Sequence, residues 1–218
     1  MNFNAPFRRG LACVLLGAIL AACSTASVPT PSVGPCPSAA PTADQAATIN
    51  AGAARAVVTT NLGSFTIELY PQVAPIAAAN FVVLARCGFY DGISFHRVIA
   101  GFVAQAGDPG TKSNRGAFVG LGRGGPGYTF AIEPPATGYG YDQYVVAMAN
   151  NGRPDSNDSQ FFIDLVDLNQ GLDRAYTIFG RVVDGTAVID TIGTAATTPD
   201  DLPIEPIIIN SVTIESAD

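Results

Sequence analysis

The run Phe95-His96-Arg97-Val98-Ile99-Ala100-Gly101-Phe102-Val103-Ala104-Gln105-Ala106-Gly107-Asp108 constrains this chain more than any other. Strand alternation predicts Phe95, Arg97 and Ile99 on one face and His96 and Val98 on the other. Gly101 lets the chain bend, and Phe102 and Gln105 follow. The spacing allows one arginine, one phenylalanine and one glutamine to face a common groove. A fixed cation beside an apolar ring and an amide suits a neutral, partly apolar substrate. The run contains no nucleophile.

From Arg55 onward the sequence alternates short apolar runs with glycine-rich turns. Residues 56–60 and 64–70 are rich in β-formers, and Asn61-Leu62-Gly63 reads as a hairpin turn. Pro75 precedes an apolar stretch over 76–86 and Gly88 follows it, the signature of a helix with proline first and glycine after the stop. Residues 145–148, 160–165, 177–183 and 206–214 read as strands, and 186–192 as a short second helix. Many short strands with two helices fit a mainly β protein built on a closed barrel. No internal repeat is present.

Three further runs accompany the first. Gly63-Ser64-Phe65-Thr66-Ile67-Glu68-Leu69-Tyr70 leads to Ala74-Pro75 and Asn80-Phe81. Met148-Ala149-Asn150-Asn151-Gly152 leads to Ser159-Gln160-Phe161-Phe162-Ile163. Gly171-Leu172-Asp173 leads to Tyr176-Thr177-Ile178-Phe179-Gly180-Arg181-Val182. In this order the four runs resemble the cyclophilins, a family of peptidyl-prolyl cis-trans isomerases, from about Arg55 to the C-terminus. The resemblance implies a closed eight-stranded antiparallel β-barrel capped by two helices. It also implies catalysed rotation about X-Pro bonds in flexible or unfolded polypeptides.

Carried onto this sequence, the resemblance assigns catalysis to Arg97, Phe102 and Gln105. Arg97 would grip the imide nitrogen when the bond is twisted, and Gln105 would hold the substrate carbonyl and orient Arg97. Phe102, Phe162 and Leu172, with Val103 beside them, would seat the proline ring. Ala149 and Asn150 would offer a main-chain edge, Gln160 would support Arg97 or a neighbouring subsite, and Tyr176 would add a ring and a hydroxyl. No metal, nucleotide or covalent intermediate is required. A rival reading is a barrel that binds proline-containing segments without turning them over. His96, the single histidine, reads as structural, because isomerisation needs no general base.

Other features carry less. Gly120-Leu121-Gly122-Arg123-Gly124-Gly125 fits a dinucleotide fingerprint, but Pro126-Gly127 follows where a helix would have to begin. The acidic turn Asp155-Ser156-Asn157-Asp158 supplies too few ligands for a cation and reads as solvated. Two positions depart from well-studied eukaryotic relatives: Gly171 stands where they have tryptophan, and Tyr176 where they have histidine. Gly171 removes a wall of the groove and puts binding of the cyclic peptide cyclosporin in doubt. The loop over 110–121 is longer than the family's, with Lys112, Asn114 and Arg115, and reads as a tolerated surface insertion.

The 218 residues include 48% hydrophobic and 13% charged residues, enough to build a core. A net charge of -7, with Lys112 the single lysine, argues against a nucleic-acid surface. The N-terminus reads as an export signal: Arg8 and Arg9 precede an apolar stretch over 11–20 that is short for a membrane span. Leu20-Ala21-Ala22-Cys23 looks like a bacterial lipobox, which implies cleavage before Cys23 and a lipid on its thiol. Residues 1–22 are then a signal peptide, 23–54 a proline-, serine- and alanine-rich tether, and 55–218 the isomerase domain. Within the tether, Thr42-Ala43-Asp44-Gln45 has the form of a capping box opening a short helix through Ile49. Lipid alone would hold the protein, expected to be a monomer, outside the cytoplasm at a bacterial membrane. Cys36 and Cys87 remain, either as a disulfide suited to an oxidising compartment or as two separate thiols.

Overall fold

The computed structural model describes residues 1–2, 34–113 and 122–216. The signal, Cys23, Asn114, Arg115, Gly120 and Leu121 therefore lie outside the described residues. Residues Val33–Asp218 form one compact unit.

Among the described residues nine short strands make one antiparallel sheet. They are β1 (Arg55–Thr60), β2 (Gly63–Leu69), β3 (Ser94–Phe95), β4 (Arg97–Val98), β5 (Val103–Ala106), β6 (Val145–Met148), β7 (Phe161–Asp164), β8 (Ile178–Asp184) and β9 (Ile207–Glu215). Their order is β3-β9-β1-β2-β8-β6-β7-β5-β4. The two ends of that order, β3 and β4, are separated in the chain by His96 alone, so the ladder comes back on itself and leaves almost no free edge. Counted as one bent strand, they give the eight strands expected.

That bend corrects the simple alternation. Phe95 and Val98 both belong to the apolar core, while Arg97 between them is half exposed. Phe95 therefore does not share a face with Arg97. The reason is a change of partner: β3 pairs with β9, and β4 pairs with β5. The His96 N–H donates to the Gln105 carbonyl at 3.1 Å as the chain crosses over.

Among the described residues there are three α-helices, α1 (Ala43–Asn50), α2 (Pro75–Arg86) and α3 (Thr186–Gly193), of which α2 and α3 pack on the barrel and α1 on α2. On α2, Phe81 enters the core and meets Tyr90 at 4.9 Å, Phe179 at 5.2 Å and Phe161 at 5.7 Å between ring centroids. Truncating such a ring costs about 3–5 kcal/mol. The N-cap residue of α2, Ala74, has no side chain that can cap. Glu133 does this from a distance, accepting from Ile76 N–H at 2.9 Å and Ala77 N–H at 2.8 Å.

The segment expected as a tether is partly folded. Thr42 and Gln45 form a complete capping box at the start of α1. Ala46 is fully buried, Asn50 donates to the Pro75 carbonyl at 3.0 Å, and Cys36 is disulfide-bonded to Cys87. A boundary at Arg55 therefore falls inside the compact unit, because α1 buries its small face against α2 instead of staying extended. The acidic turn is solvated only in part: Asp155 is exposed, but Ser156 and Asn157 are buried, and Asn157 donates to Thr177 Oγ1 at 2.9 Å.

Candidate active site

Strand register places the chemistry. Arg97 on β4 stands opposite Gln105 on β5, Gln105 opposite Phe162 on β7, and Phe162 opposite Ala147 on β6. Residues opposite one another across antiparallel strands share a face. A cation, an amide and an aromatic ring thus form one row across the barrel wall. The turn between β4 and β5 is tight. Ile99 N–H donates to the Val103 carbonyl and Phe102 N–H to the Ile99 carbonyl, each at 2.9 Å. Gly101 sits at φ +71°, where a side chain would be strained.

That row edges a cavity of about 160 Å³. Arg97, Gln105 and Asn150 supply its polar rim. Phe102, Val103, Phe162, Leu172 and Tyr176 supply its apolar wall, and Ala149 completes it. A dry cavity of about 150 Å³ holds benzene, so a five-membered ring has room here. The Phe162 and Tyr176 rings meet edge to face at 5.3 Å. Tyr176 is fixed from behind by Tyr141, whose hydroxyl donates to the Tyr176 carbonyl at 2.9 Å and accepts from its N–H at 3.0 Å. Nothing in the sequence singled out Tyr141, since the contact spans distant segments.

Gln105 does not hydrogen-bond Arg97 among the described residues. Its Nε2 donates to Gln160 Oε1 at 3.1 Å, and Gln160 Nε2 donates to the Gly124 carbonyl at 2.8 Å. Gln160 therefore lines the adjoining cavity and not the one edged by Arg97. The charged partner of Arg97 is Asp201, with Nε and Oδ2 3.5 Å apart. Asp201 lies in a loop between Pro199 and Pro203 that carries no local signal of this role.

A second cavity of about 420 Å³ adjoins the first and shares Gln105, Ala149 and Asn150 with it. Gln160, Asp158, Arg123 and Gly122 lie on its far side. Buried Asp108 organises the glycine loop there, accepting from Gly110 N–H at 2.7 Å, Gly122 N–H at 2.6 Å and Gly124 N–H at 3.2 Å. The loop is thus folded around a carboxylate of its own chain. Burial raises the Asp158 carboxyl to about 6, against the N–H of Gln160 that it accepts at 2.7 Å.

Along the rim, Ala149 N–H is already donated to the Gln160 carbonyl at 2.9 Å. The Asn150 side chain is tied down, donating to the Ala175 carbonyl at 2.9 Å and accepting from Gly152 N–H at 3.0 Å. The open edge is therefore the Ala149 carbonyl and the Asn150 main chain. His96 lies outside the cavity. It is 3% exposed, and burial, opposed by the Asp108 carboxylate, lowers its imidazole to about 4. Gly171 has no heavy atom within 4 Å of where a Cβ would stand, which leaves that side of the groove open. Cys36 and Cys87 take no part in either cavity.

Residues 55–214 match the family model described as cyclophilin type peptidyl-prolyl cis-trans isomerase. Peptidyl-prolyl cis-trans isomerase A of Mycobacterium tuberculosis is 42% identical over 178 residues, 74% of this chain and 92% of its own. A Helicobacter pylori protein of the same activity name is 43% identical over 141 residues, 64% of this chain and 80% of its own. A Cryptosporidium parvum cyclophilin type peptidyl-prolyl cis-trans isomerase superposes with a TM-score of 0.67 at 33% identity, covering 76% of this chain and 99% of that one. A second crystal structure of that protein was obtained in the presence of the dipeptide Ala-Pro, with a TM-score of 0.66. With nearly three quarters of its length matched by the family model and its fold superposing on a solved member, this chain belongs to the cyclophilin-type peptidyl-prolyl cis-trans isomerases and is an enzyme of that class.

Proposed function

We propose that this protein accelerates rotation about X-Pro bonds in flexible segments of exported polypeptides, without a covalent step, and that Arg97 stabilises the twisted bond. The observation that carries the reading is the row of Arg97, Gln105 and Phe162 at the edge of an apolar seat of about 160 Å³.

An X-Pro bond resists twisting with a barrier of about 18–20 kcal/mol. Its planar forms differ by only about 0.5–1 kcal/mol, so the difficulty is kinetic. At ninety degrees the nitrogen lone pair localises and becomes an acceptor. A guanidinium directed at it binds the twisted form better than either planar one and speeds both directions. A 10⁵-fold acceleration corresponds to about 7 kcal/mol. One charge-assisted hydrogen bond contributes about 1.5–3 kcal/mol. The rest falls to the seat: Phe102, Phe162, Leu172 and Tyr176 hold the ring and exclude water, while Asn150 and Gln105 fix the flanking carbonyl. Residues upstream of the proline then run over the second cavity, past Asp158 and Arg123.

Exchange of a short Ala-Pro peptide measured by NMR with the wild-type protein and with Arg97→Ala tests the proposal. Fast exchange that Arg97→Ala slows by about tenfold to a hundredfold is expected. Binding without exchange would favour the non-catalytic module instead.

Export and lipidation belong to the same reading. They rest on Arg8, Arg9, the apolar stretch and Leu20-Ala21-Ala22-Cys23, and on the Cys36–Cys87 disulfide, which suits an oxidising compartment. Among the described residues no helix is long and apolar enough to cross a membrane. Mass spectrometry of the protein extracted from bacterial membranes is expected to find a mature N-terminus at lipid-modified Cys23. A Cys23→Ser variant that stays on the membrane would overturn this part.

A further inference from the structure

Resting on the reading of Arg97 above, we infer that Asp201 is a positioning residue that holds the Arg97 guanidinium in its working plane. Asp201 grips its partner twice. Its Oδ2 lies 3.5 Å from Arg97 Nε, and its main-chain carbonyl accepts from the N–H of Val98, the next residue on β4, at 2.8 Å. Side chain and strand are thus registered against one another by a single residue.

The loop that carries Asp201 is built to hold it. Asp201 sits at φ +63°, a left-handed conformation that non-glycine residues seldom adopt. Thr197 bridges to Pro203, Thr198 N–H donates to the Leu202 carbonyl at 2.8 Å, and Asp201 N–H donates to the Thr198 carbonyl at 3.0 Å. Thr198 Oγ1 accepts from Asp200 and Leu202 N–H at 3.3 Å each. Leu202 and Pro203 are buried beneath the turn. Strained backbone held by several independent contacts points to a role for the side chain it presents.

That role is not stability. The two side chains are 38% and 40% exposed, where water screens an ion pair enough that it adds little to folding. Orientation remains. Tying the Nε edge leaves the two Nη groups, which make no hydrogen bond among the described residues, as donors for the twisted nitrogen. Gln105 does not constrain the guanidinium, being bonded to Gln160. Without Asp201 the long side chain samples several rotamers and meets the twisted bond less often. Because that contact exists only in the transition state, kcat should fall while KM holds.

The test is a double-mutant cycle on a short Ala-Pro peptide, with kcat and KM read separately at low salt. Asp201→Asn is expected to lose about threefold to fivefold in kcat, the effect of a partly screened ion pair, with KM unchanged. Asp201→Glu is expected to recover part of the loss. Asp201→Gly, which relaxes the left-handed backbone, is expected to lose as much kcat without lowering the thermal midpoint. Added to Arg97→Ala, Asp201→Asn is expected to change nothing further. Wild-type kcat in Asp201→Asn, or an equal loss in the Arg97→Ala background, overturns the inference and leaves the role of Arg97 standing. Full activity in Arg97→Ala overturns both.

Discussion

Asp164 stands directly across the β5–β7 ladder from Val103, and both of its carboxylate oxygens are buried without a hydrogen-bond partner among the described residues. Val103 lines the apolar seat, so a buried acid lies next to the wall of the groove. Burial first, and then the charges of Asp142 and Asp167, raise its carboxyl from 3.8 to about 8. It is therefore protonated in the folded protein at neutral pH and ionised in the unfolded chain. The folded state binds the extra proton, so the contribution of Asp164 to stability is full below about pH 4 and is lost as pH rises toward 8. The slope from one such group reaches about 1.4 kcal/mol per pH unit. Asp164→Asn cannot ionise. Its denaturation midpoint should fall less than that of the wild type between pH 5 and 8, and parallel curves would sink the prediction.

His96 should behave in the opposite sense. Its imidazole is lowered from 6.5 to about 4, chiefly by burial. The unfolded chain binds the proton first, so its contribution to stability is present above pH 6.5 and lost as pH falls toward 4. The chain has one histidine, so its ring resonances need no mutant for assignment. NMR titration should show a neutral ring down to about pH 4. Between pH 5.5 and 8 isomerase activity should not track this residue, because isomerisation needs no general base. A midpoint near 6.5 would show the ring to be open to solvent.

Much of this architecture was legible because it is local. The hairpin β1–β2, the proline-led α2 and the capping box of α1 each depend on residues a few positions apart, and their predicted limits lie within one or two residues of those observed. The groove residues were legible through motifs that keep strand register, so Arg97, Gln105 and Phe162 arrive in one row. What could not be read depends on partners far apart in the chain. Phe95 left its expected face because β3 and β4 answer to different neighbours. Glu133 caps α2 from 57 positions away, and Asp201 reaches Arg97 from the far end of the barrel sequence. The proline-rich composition before Arg55 suggested an extended arm. It gives no sign that Ala46 packs on α2, since tertiary burial overrides weak local preference; of that anchor only the Cys36–Cys87 pair, one of two alternatives left open by the sequence, is legible.

The Cys36–Cys87 disulfide closes a loop with a sequence separation of 51. In the chain-entropy account a loop of that size stabilises the fold by about 4 kcal/mol, mainly by restricting the unfolded state. The double variant Cys36→Ser with Cys87→Ser should melt on the order of 10 °C lower. Neither cysteine lines the groove, so kcat/KM measured well below the transition should match the wild type. An unchanged melting temperature would mean that packing of α1 on α2 already supplies the restraint. A loss of activity in the folded variant would couple the N-terminal arm to the groove.

Gly171 sits beside the seat with open space around the position of a Cβ, and Leu172 next to it lines the cavity. Where relatives carry a tryptophan, this groove lacks both a wall and an indole N–H donor. In the proposed reading substrate needs little from that side, because the Phe162 and Tyr176 rings, edge to face, line the seat. A large cyclic peptide such as cyclosporin spreads over the rim and loses a partner there. Inhibition of Ala-Pro exchange should therefore require more than micromolar cyclosporin. The Cβ of Gly171→Trp has no heavy atom within 4 Å, and a buried indole contact at an interface contributes well over 1 kcal/mol. The variant should bind cyclosporin at least about tenfold more tightly, which corresponds to 1.4 kcal/mol, with kcat/KM on the short peptide within about twofold of the wild type. Submicromolar inhibition of the wild type would show that the rest of the rim suffices, and the open side at Gly171 would then carry no selectivity.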